Sequence, residues 1–274
     1  MKANKVLFIT QEITPYVSET EMANVGRHLP QAIQEMGKEI RTFMPKWGNV
    51  NERRNQLHEV IRLSGMNLII DDTDHPLIIK VASIPSARMQ VYFIDNDDYF
   101  QHRLQTVDEN GEEYPDNDER AIFYARGVLE TVKKLRWCPD VIHCQGWMSA
   151  LVPLYIKKAY NEEPSFRDSK VVISLFGNEP QNPLQSDIAE KLLLKDITKS
   201  DVDGILPEGG TFNDLYKLGI AYADGVVQND PNVNLELLEY ARSKDIPVFE
   251  YPSEETFADA FNEFVDMVWS KDKE

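Results

Sequence analysis

Residues 5–44 read KVLFITQEITPYVSETEMANVGRHLPQAIQEMGKEIRTFM, and the apolar pattern changes twice within them. Residues 5–10 are a short run of β-branched and aromatic side chains, which predicts a buried strand. Over 22–36, apolar residues recur three and four positions apart, which predicts a helix that ends at Gly37. A second strand is predicted over 39–44. A strand, a helix and a strand of these lengths form a β-α-β unit with parallel strands.

The same alternation continues along the rest of the chain. Strands are predicted at 141–144, 171–175, 225–228 and 246–250, and helices at 119–134, 148–160, 185–197, 212–221 and 233–243. Residues 56–94 instead predict the strands 56–63, 67–70, 77–85 and 88–94 of a mixed insertion. Because strands and helices alternate without a repeat or a flexible linker, we predict a single doubly wound α/β domain over residues 1–274, with a Rossmann-like, mostly parallel sheet.

The last predicted element is a helix over 253–269. Its apolar residues repeat three or four positions apart for most of its length, at Ala258, Phe261, Val265, Val268 and Trp269. This spacing gives a helix with one apolar face. We expect that face to pack back on the sheet and to cover surface where a further domain would sit.

Composition and charge exclude several classes of protein. The formal net charge of −17 disfavours a nucleic-acid partner, and no apolar run is long enough to span a membrane. The acidity is concentrated after residue 200, where 17 acidic and 5 basic residues lie, whereas residues 1–70 hold 9 basic and 7 acidic ones. Two cysteines and five histidines without metal-ligand spacing predict a cytoplasmic protein with reduced thiols and no bound metal.

Three stretches, taken together, are similar to one protein family. The first is KVLFITQEITPYV at 5–17 with IRTFMPK at 40–46, the second is VYFIDNDDYF at 91–100 with YPDNDERAIFYARGVLE at 114–130, and the third is PDVIHCQGWMSALVP at 139–153. Their order and spacing resemble the N-terminal domain of bacterial glycogen synthases and plant starch synthases. The resemblance runs from about residue 4 to residue 230, and the second stretch is its most specific part.

The resemblance implies both a fold and a reaction. The family consists of retaining glycosyltransferases of the GT-B type, which have two Rossmann-like domains and a cleft between them. They transfer glucose from ADP-glucose to the end of an α-1,4-glucan without another cofactor. This chain corresponds to the first of the two domains. The enzyme interpretation therefore needs a second copy of the chain, or another protein chain, to close the cleft.

The first family motif is changed in this chain. After Pro15 the family has Lys-Thr-Gly-Gly-Leu, a composition suited to an anionic ligand at a helix N-terminus. Here the aligned residues, 18–22, are Ser-Glu-Thr-Glu-Met. Glu19 and Glu21 therefore stand where a diphosphate would lie, and each like-charge contact costs on the order of 4 kcal/mol at ~4 Å. The alternative interpretation is structural, because carboxylates stabilise the N-terminus of a helix.

Two further motifs are also changed. The family sequence His-x-His-Asp-Trp-His is replaced here by residues 143–148, His-Cys-Gln-Gly-Trp-Met, and the family His after the next strand becomes Phe176. Gln145 suits a sugar hydroxyl and Trp147 suits a pyranose face, although Trp147 equally suits a core position and His143 a strand end. We name no catalytic residue. The candidates to face a sugar or nucleotide are Glu12, Ser18, Glu19, Thr20, His143, Gln145, Trp147, Phe176 and Asn178, and of these Ser18, Gln145 and Phe176 are expected to ring a cleft.

Two functions follow from these observations. One is a glucosyltransferase of the glycogen or starch synthase type, with a sugar nucleotide and an α-glucan as substrates. The other is a catalytically degenerate relative that binds a glucan or regulates a partner. The changed motif residues favour the second function, whereas the resemblance by itself indicates the first.

Overall fold

The computed structural model describes residues 1–250 and 254–271 of the chain. Within them the strands are β1 (Lys5–Ile9), β2 (Glu39–Pro45), β3 (His58–Glu59), β4 (Met66–Ile70), β5 (Thr73–Ile84), β6 (Met89–Asp95), β7 (Val141–Gln145), β8 (Lys170–Leu175), β9 (Gly225–Gln228) and β10 (Val248–Phe249). The α-helices are α1 (Glu21–Glu35), α2 (Asn117–Leu135), α3 (Val152–Lys157), α4 (Ile188–Lys191), α5 (Lys199–Val202), α6 (Phe212–Ala221), α7 (Leu235–Ser243) and α8 (Phe257–Ser270).

The strands form one mixed sheet in the order β10-β9-β8-β7-β1-β2-β6-β5-β3, with β4 also paired to β5. The seven strands from β10 to β6 are parallel to one another, and β3, β4 and β5 form antiparallel pairs. The antiparallel strands fall inside the segment 56–94. The prediction of a doubly wound, mostly parallel sheet with a mixed insertion is therefore confirmed.

Helices cover both faces of the parallel strands. Because successive side chains of a strand point to opposite faces, each strand contributes residues to two apolar cores. In β1, Leu7 and Ile9 belong to the larger apolar core, which includes buried residues of α2, α3, α6 and α7. Val6 and Phe8 point the other way, into a second core that they share with α1 and α8. Continuous apolar strands thus follow from burial on two sides.

Helix α8 lies against the second face of the sheet. Its buried residues are Phe261, Phe264, Val265, Val268 and Trp269, and they pack with strand residues Val6, Phe8, Val141, Val172 and Val227. An ion pair also holds this helix, because Lys38 Nζ lies 2.7 Å from Asp266 Oδ1. The same oxygen accepts the backbone N–H of Ala3 at 2.9 Å, which ties the helix to the start of the chain. Residue 253, the first of the predicted closing helix, lies outside the described residues.

Four predicted elements are shorter in the structure than in the prediction. The predicted helix 185–197 is reduced to α4, because the backbone is left-handed at Lys195, with φ 49°, and α5 is a separate helix that begins after Thr198. The predicted helix 148–160 is reduced to a 3-10 turn at Trp147–Ser149 followed by α3. The predicted strands 56–63 and 246–250 are reduced to β3 and β10. The apolar residues Ile188, Leu192 and Ile197 of the first segment are buried, whereas residues 56–62 and 246–250 are exposed or only partly buried.

Within the described part of the chain, no helix combines the length and the apolar character that a membrane crossing requires.

Candidate functional site

The carboxyl ends of β1, β7, β8 and β9 meet at one edge of the sheet, which is where ligands bind in open parallel sheets. The nine predicted site residues lie along this edge: Glu12, Ser18, Glu19 and Thr20 follow β1, His143 and Gln145 belong to β7, Trp147 follows β7, and Phe176 and Asn178 follow β8. The topology thus brings together residues that are up to 166 positions apart in the sequence.

The segment after β1 is anchored by a buried carboxyl group. Thr20 is the N-cap of α1: its hydroxyl oxygen accepts the N–H of Ala23 at 3.0 Å and its hydroxyl donates to Glu12 Oε2 at 2.5 Å. Burial raises the pKa of Glu12, and the hydrogen bond from Thr20 opposes that rise. Gly26 lets α1 approach the backbone of Glu12 closely, because a Cβ at residue 26 would stand 2.1 Å from the carbonyl oxygen of Glu12. Glu12 and Thr20 therefore hold α1 against the sheet edge.

Gln145 has a similar structural function. Its amide nitrogen donates to the carbonyl of Met22 at 3.2 Å, and its amide oxygen accepts the N–H of Gln11 at 3.4 Å. The side chain is fully buried. Gln145 thus ties the end of β7 to the first turn of α1, and its hydrogen-bonding groups are engaged within the protein.

The structure places the predicted site residues in two groups. Ser18, Glu19, Thr20 and Asn178 are exposed at the surface. In contrast, Glu12, His143, Gln145, Trp147 and Phe176 are buried. Of the three residues expected to ring an open cleft, only Ser18 is accessible, because Gln145 is hydrogen-bonded to Met22 and Gln11 and Phe176 is buried. Trp147, one of the two undecided residues, packs edge-to-face on Phe212 with ring centroids 5.2 Å apart.

His143 is enclosed by aromatic side chains. Its ring makes edge contacts with Phe8 and Phe261 at centroid distances of 5.4 and 4.9 Å, and its Nε2 lies 2.5 Å from the Ser174 hydroxyl. Burial lowers the pKa of His143 to about 3 from its ordinary value of 6.5. The imidazole is therefore neutral at physiological pH, so it is unsuited to stabilise a phosphate by charge.

This shift predicts a pH dependence of stability. Between pH 6.5 and 3 the unfolded chain binds a proton at His143 that the folded chain does not, so stability is lost as the pH falls below 6.5. The contribution of His143 to the free energy of unfolding is expected to be about 2 kcal/mol smaller at pH 5 than at pH 7. Urea unfolding of the wild type and of His143→Gln, which keeps a partner for Ser174, measures it. Equal pH slopes in the two proteins would contradict the expectation.

A cavity of about 630 Å³ opens beside the exposed start of α1. The lining combines carboxylates, amides, an imidazole and apolar groups, from Glu19, Glu21, Asn24, Val25, His28, Leu29, Ala32, Asn229, Phe257 and Ala258. Asn24 Nδ2 donates to Glu19 Oε1 at 3.3 Å. No Lys or Arg side chain is among these lining residues, so the wall is acidic and accepts hydrogen bonds.

Asn229 lies at the floor of this cavity, immediately after β9. The residue is 1% exposed, and neither its amide oxygen nor its amide nitrogen has a hydrogen-bond partner among the described residues. A buried polar group without a partner costs about 1–3 kcal/mol, and buried amides are almost always hydrogen-bonded. The Asn229 amide is therefore an unsatisfied donor and acceptor beside the cavity.

Sequence reasoning missed Asn229, Asn24, His28 and Phe257. A signal for Asn229 was present, because it is the polar residue that follows a predicted parallel strand. Asn24 and His28 share a helix face with Glu21, three and seven positions along, and this spacing was readable too. Nothing local marks Phe257, which reaches the cavity only because α8 packs beside α1.

Comparison with known proteins gives relatives over most of the chain. The family model for the starch synthase catalytic domain matches residues 5–246. A glycogen synthase of Chlorobium limicola is 36% identical over 221 residues, which cover 80% of this chain and 44% of that protein. A glycogen synthase of Chlorobaculum tepidum is 35% identical over 236 residues, or 86% of this chain and 47% of that protein. The chain thus spans somewhat less than half the length of these relatives.

A solved structure shares the fold. The catalytic domain of Starch Synthase IV from Arabidopsis thaliana, bound to ADP and acarbose, superposes with a TM-score of 0.71 at 16% sequence identity, over 92% of this chain and 51% of that one. At this identity the match speaks for the fold, which is that of a GT-B starch synthase domain. The family model matches residues 5–246 and the relatives are more than 30% identical, so the chain belongs to the glycogen and starch synthase family of glycosyltransferases.

Proposed function

We propose that this chain binds an α-1,4-glucan and takes part in glucosyl transfer from ADP-glucose to that glucan, as a glycogen or starch synthase does. Membership of the family supports the reaction class. The fold supports the place of binding, at the carboxyl edge of the parallel strands. The solved relative is bound to ADP and acarbose, and these two molecules agree with a sugar nucleotide and a glucan as the ligands proposed for this chain.

The observation that carries the proposal is the unpartnered amide of Asn229 in the cavity beside α1. A sugar hydroxyl both donates and accepts, so it can satisfy both atoms of an amide. Glu19 and Asn24 add further polar partners at the rim, and Phe257 adds an apolar surface. Amides and carboxylates beside an apolar ring form a suitable environment for a neutral saccharide.

A second candidate function is a non-catalytic one, in which the chain binds a glucan or regulates a partner without transferring glucose. The observation that favours it is the pair Glu19 and Glu21 at the exposed start of α1, on the wall of the cavity. Their carboxylates repel a diphosphate placed against that wall but not a neutral sugar. In addition, His143, Gln145 and Trp147 are buried, so these side chains are not accessible to a sugar nucleotide.

In the enzyme proposal a second unit supplies the opposite wall of the site, whether a second copy of this chain, another protein chain or a domain beyond this sequence. The described residues form one sheet with its helices, and the relatives are about twice as long as the matched region. A closed site would exclude water from the transferred glucosyl group. A cytoplasmic location is part of the same proposal and rests on the two unpaired cysteines.

The test measures transfer and binding in parallel. Transfer is followed with labelled ADP-glucose and glycogen at micromolar protein, with UDP-glucose as the alternative donor. Binding of a maltooligosaccharide is measured by calorimetry. Asn229→Leu is the informative variant, because leucine removes the unpartnered amide from the interior and is expected to leave the fold at least as stable. Asn67→Leu, at an exposed position on β4, is the matched control.

We expect Asn229→Leu to weaken maltooligosaccharide binding at least tenfold while its melting temperature stays equal or rises, and Asn67→Leu to bind like the wild type. Incorporation of glucose supports the transferase proposal. Binding without incorporation supports the non-catalytic alternative. A folded wild type that neither binds the oligosaccharide nor incorporates glucose contradicts both.

A further inference from the structure

A second polar cavity lies at the opposite edge of the sheet, where β2 and β6 begin. It has a volume of about 230 Å³, and its polar lining is Gln34, Arg41, Arg88, Gln90 and Tyr92. None of the residues that line it, all of them within the described part of the chain, is acidic. In a protein with a net charge of −17, a cavity walled by two arginines and no carboxylate is an exception.

Arg41 is held in place on one side of this cavity. Its Nη1 donates to the Tyr92 hydroxyl at 3.1 Å, and its guanidinium lies 5.3 Å from the centre of the Trp137 ring. Its Nε has no acceptor among the described residues. A guanidinium carries five N–H donors, so this arrangement orients the group while leaving most of its hydrogen-bonding capacity unused.

Arg88 forms the other side of the cavity. It ends the 3-10 turn Pro85–Ala87 that connects β5 to β6, and its backbone is left-handed, with φ 51° and ψ 39°. Its side chain is exposed, and no ion pair is recorded for Arg88 or for Arg41 in the described part of the chain. The tight turn therefore fixes the point from which the Arg88 guanidinium extends over the cavity.

The nearest acidic residues in the sequence are engaged elsewhere. Glu39 Oε1 accepts the indole N–H of Trp137 at 2.6 Å, and Glu35 Oε1 accepts the side-chain amide of Gln31 at 2.8 Å. A third cation, Arg27, lies close to the turn and donates to the Ser86 hydroxyl at 3.3 Å. Because Lys5 Nζ also lies 4.0 Å from Glu39 Oε2, cations outnumber carboxylates here and the local charge is net positive.

We propose that this cavity, defined by Arg41 and Arg88, is a binding site for a small phosphate group. Two arginines that line one cavity with no carboxylate among its described lining residues suit a tetrahedral dianion, because guanidinium donors match phosphate oxygens in spacing and charge. Gln34 and Gln90 supply neutral donors around the same space. The volume accommodates a phosphate group, and an attached organic group would extend through the opening.

This site is separate from the saccharide cavity. No described residue lines both cavities, although Ala32 and Gln34, which line one cavity each, lie two positions apart on α1. The phosphate site therefore does not depend on the proposed glucan site, and either can exist without the other. A phosphate bound here joins α1, β2 and the β5–β6 turn, so it is expected to stabilise the folded chain by mass action.

The experiment is a calorimetric titration at constant ionic strength with inorganic phosphate, a hexose monophosphate and the corresponding free hexose. Arg88→Gln is the main variant, because an exposed side chain can be replaced without loss of packing. Arg41→Gln is the second variant, and Arg53→Gln, at another exposed arginine, is the matched control for charge. Melting temperatures confirm that each protein is folded.

We expect inorganic phosphate to bind with a dissociation constant that is roughly millimolar or lower, and each of Arg88→Gln and Arg41→Gln to weaken it about tenfold or more. Tighter binding of the hexose monophosphate than of phosphate identifies a phosphorylated metabolite as the ligand, and equal binding identifies phosphate alone. The proposal is overturned if phosphate produces no saturable binding to the folded wild type. It is also overturned if Arg53→Gln weakens binding as much as Arg88→Gln does.

Discussion

An Arg120→Lys variant is expected to lose on the order of 4 kcal/mol of unfolding free energy, because no lysine can replace the hydrogen bonds of this guanidinium. Arg120 is fully buried on α2. It donates to the backbone carbonyls of Tyr99, Leu104 and Gln105 and to the side-chain oxygen of Asn117. Burial, together with the nearby Arg103, lowers the pKa of Arg120 to about 9.

Aromatic rings complete the environment of this buried cation. The guanidinium lies 5.1 Å from the centre of the Trp47 ring, 4.8 Å from that of Tyr114 and 5.5 Å from that of Phe100. The loop between β6 and α2 is therefore organised around Arg120 rather than by its own secondary structure. Losing the guanidinium removes the donor from the buried carbonyl of Tyr99 and from the partly buried carbonyls of Leu104 and Gln105.

Thermal and urea unfolding measure the effect, and Trp47 fluorescence reports on the site itself. Arg126→Lys is the matched control on the same helix, since the one hydrogen bond recorded for Arg126 goes to the carbonyl of Ile69. We expect the control to lose about 1 kcal/mol. If Arg120→Lys melts at the same temperature as the control, the loop does not depend on this guanidinium.

Phe261→Ala is expected to destabilise the chain by about 3–5 kcal/mol, and removal of residues 253–274 is expected to prevent stable folding. Phe261 is fully buried, and its ring contacts those of Phe8, His143 and Phe257. Without α8 the apolar strand residues of the second face are uncovered, which favours association between molecules.

Melting temperature, solubility and binding of a hydrophobic dye check this expectation. Met267→Ala, at a residue of α8 that is 44% exposed, is the matched control and is expected to change stability by less than about 0.5 kcal/mol. A truncated protein with unchanged solubility and melting temperature would show that α8 is not needed to cover the sheet. Whether α8 also occupies surface meant for a further domain stays a prediction.

Most of the fold was predictable because its elements follow local periodicity. The helix predicted over 22–36 is α1, displaced by one residue, and the strand predicted at 171–175 is β8 with one more residue. The helix predicted over 185–197 was wrong in extent. Its residues Ile188, Leu192 and Ile197 are buried, but the backbone turns left-handed at Lys195 and ends the helical path. Periodicity detects burial, but it does not detect where a left-handed residue interrupts a helix.

The candidate site was predictable only in its position. The rule that ligands bind at the carboxyl ends of parallel strands predicted a cleft ringed by Ser18, Gln145 and Phe176, of which the structure leaves only Ser18 exposed. It did not reveal that Gln145 hydrogen-bonds to Met22 and Gln11 and so faces inward. An amide side chain at the end of a strand can bind a ligand or can form hydrogen bonds within the protein. Which of the two it does depends on whether α1 places a backbone group within hydrogen-bonding distance.

The sequence by itself determined the order of strands and helices, the acidic charge, and the presence of Glu19 and Glu21 in place of a lysine and glycines. These depend on residue identity and on neighbours within a few positions. Only the tertiary structure decided that His143 and Trp147 are enclosed, that Asn229 shares a cavity with Glu19 some 210 positions earlier, and that Arg41 and Arg88 line one cavity. Burial and the grouping of charged residues depend on contacts between distant segments, and local periodicity contains no information about those contacts.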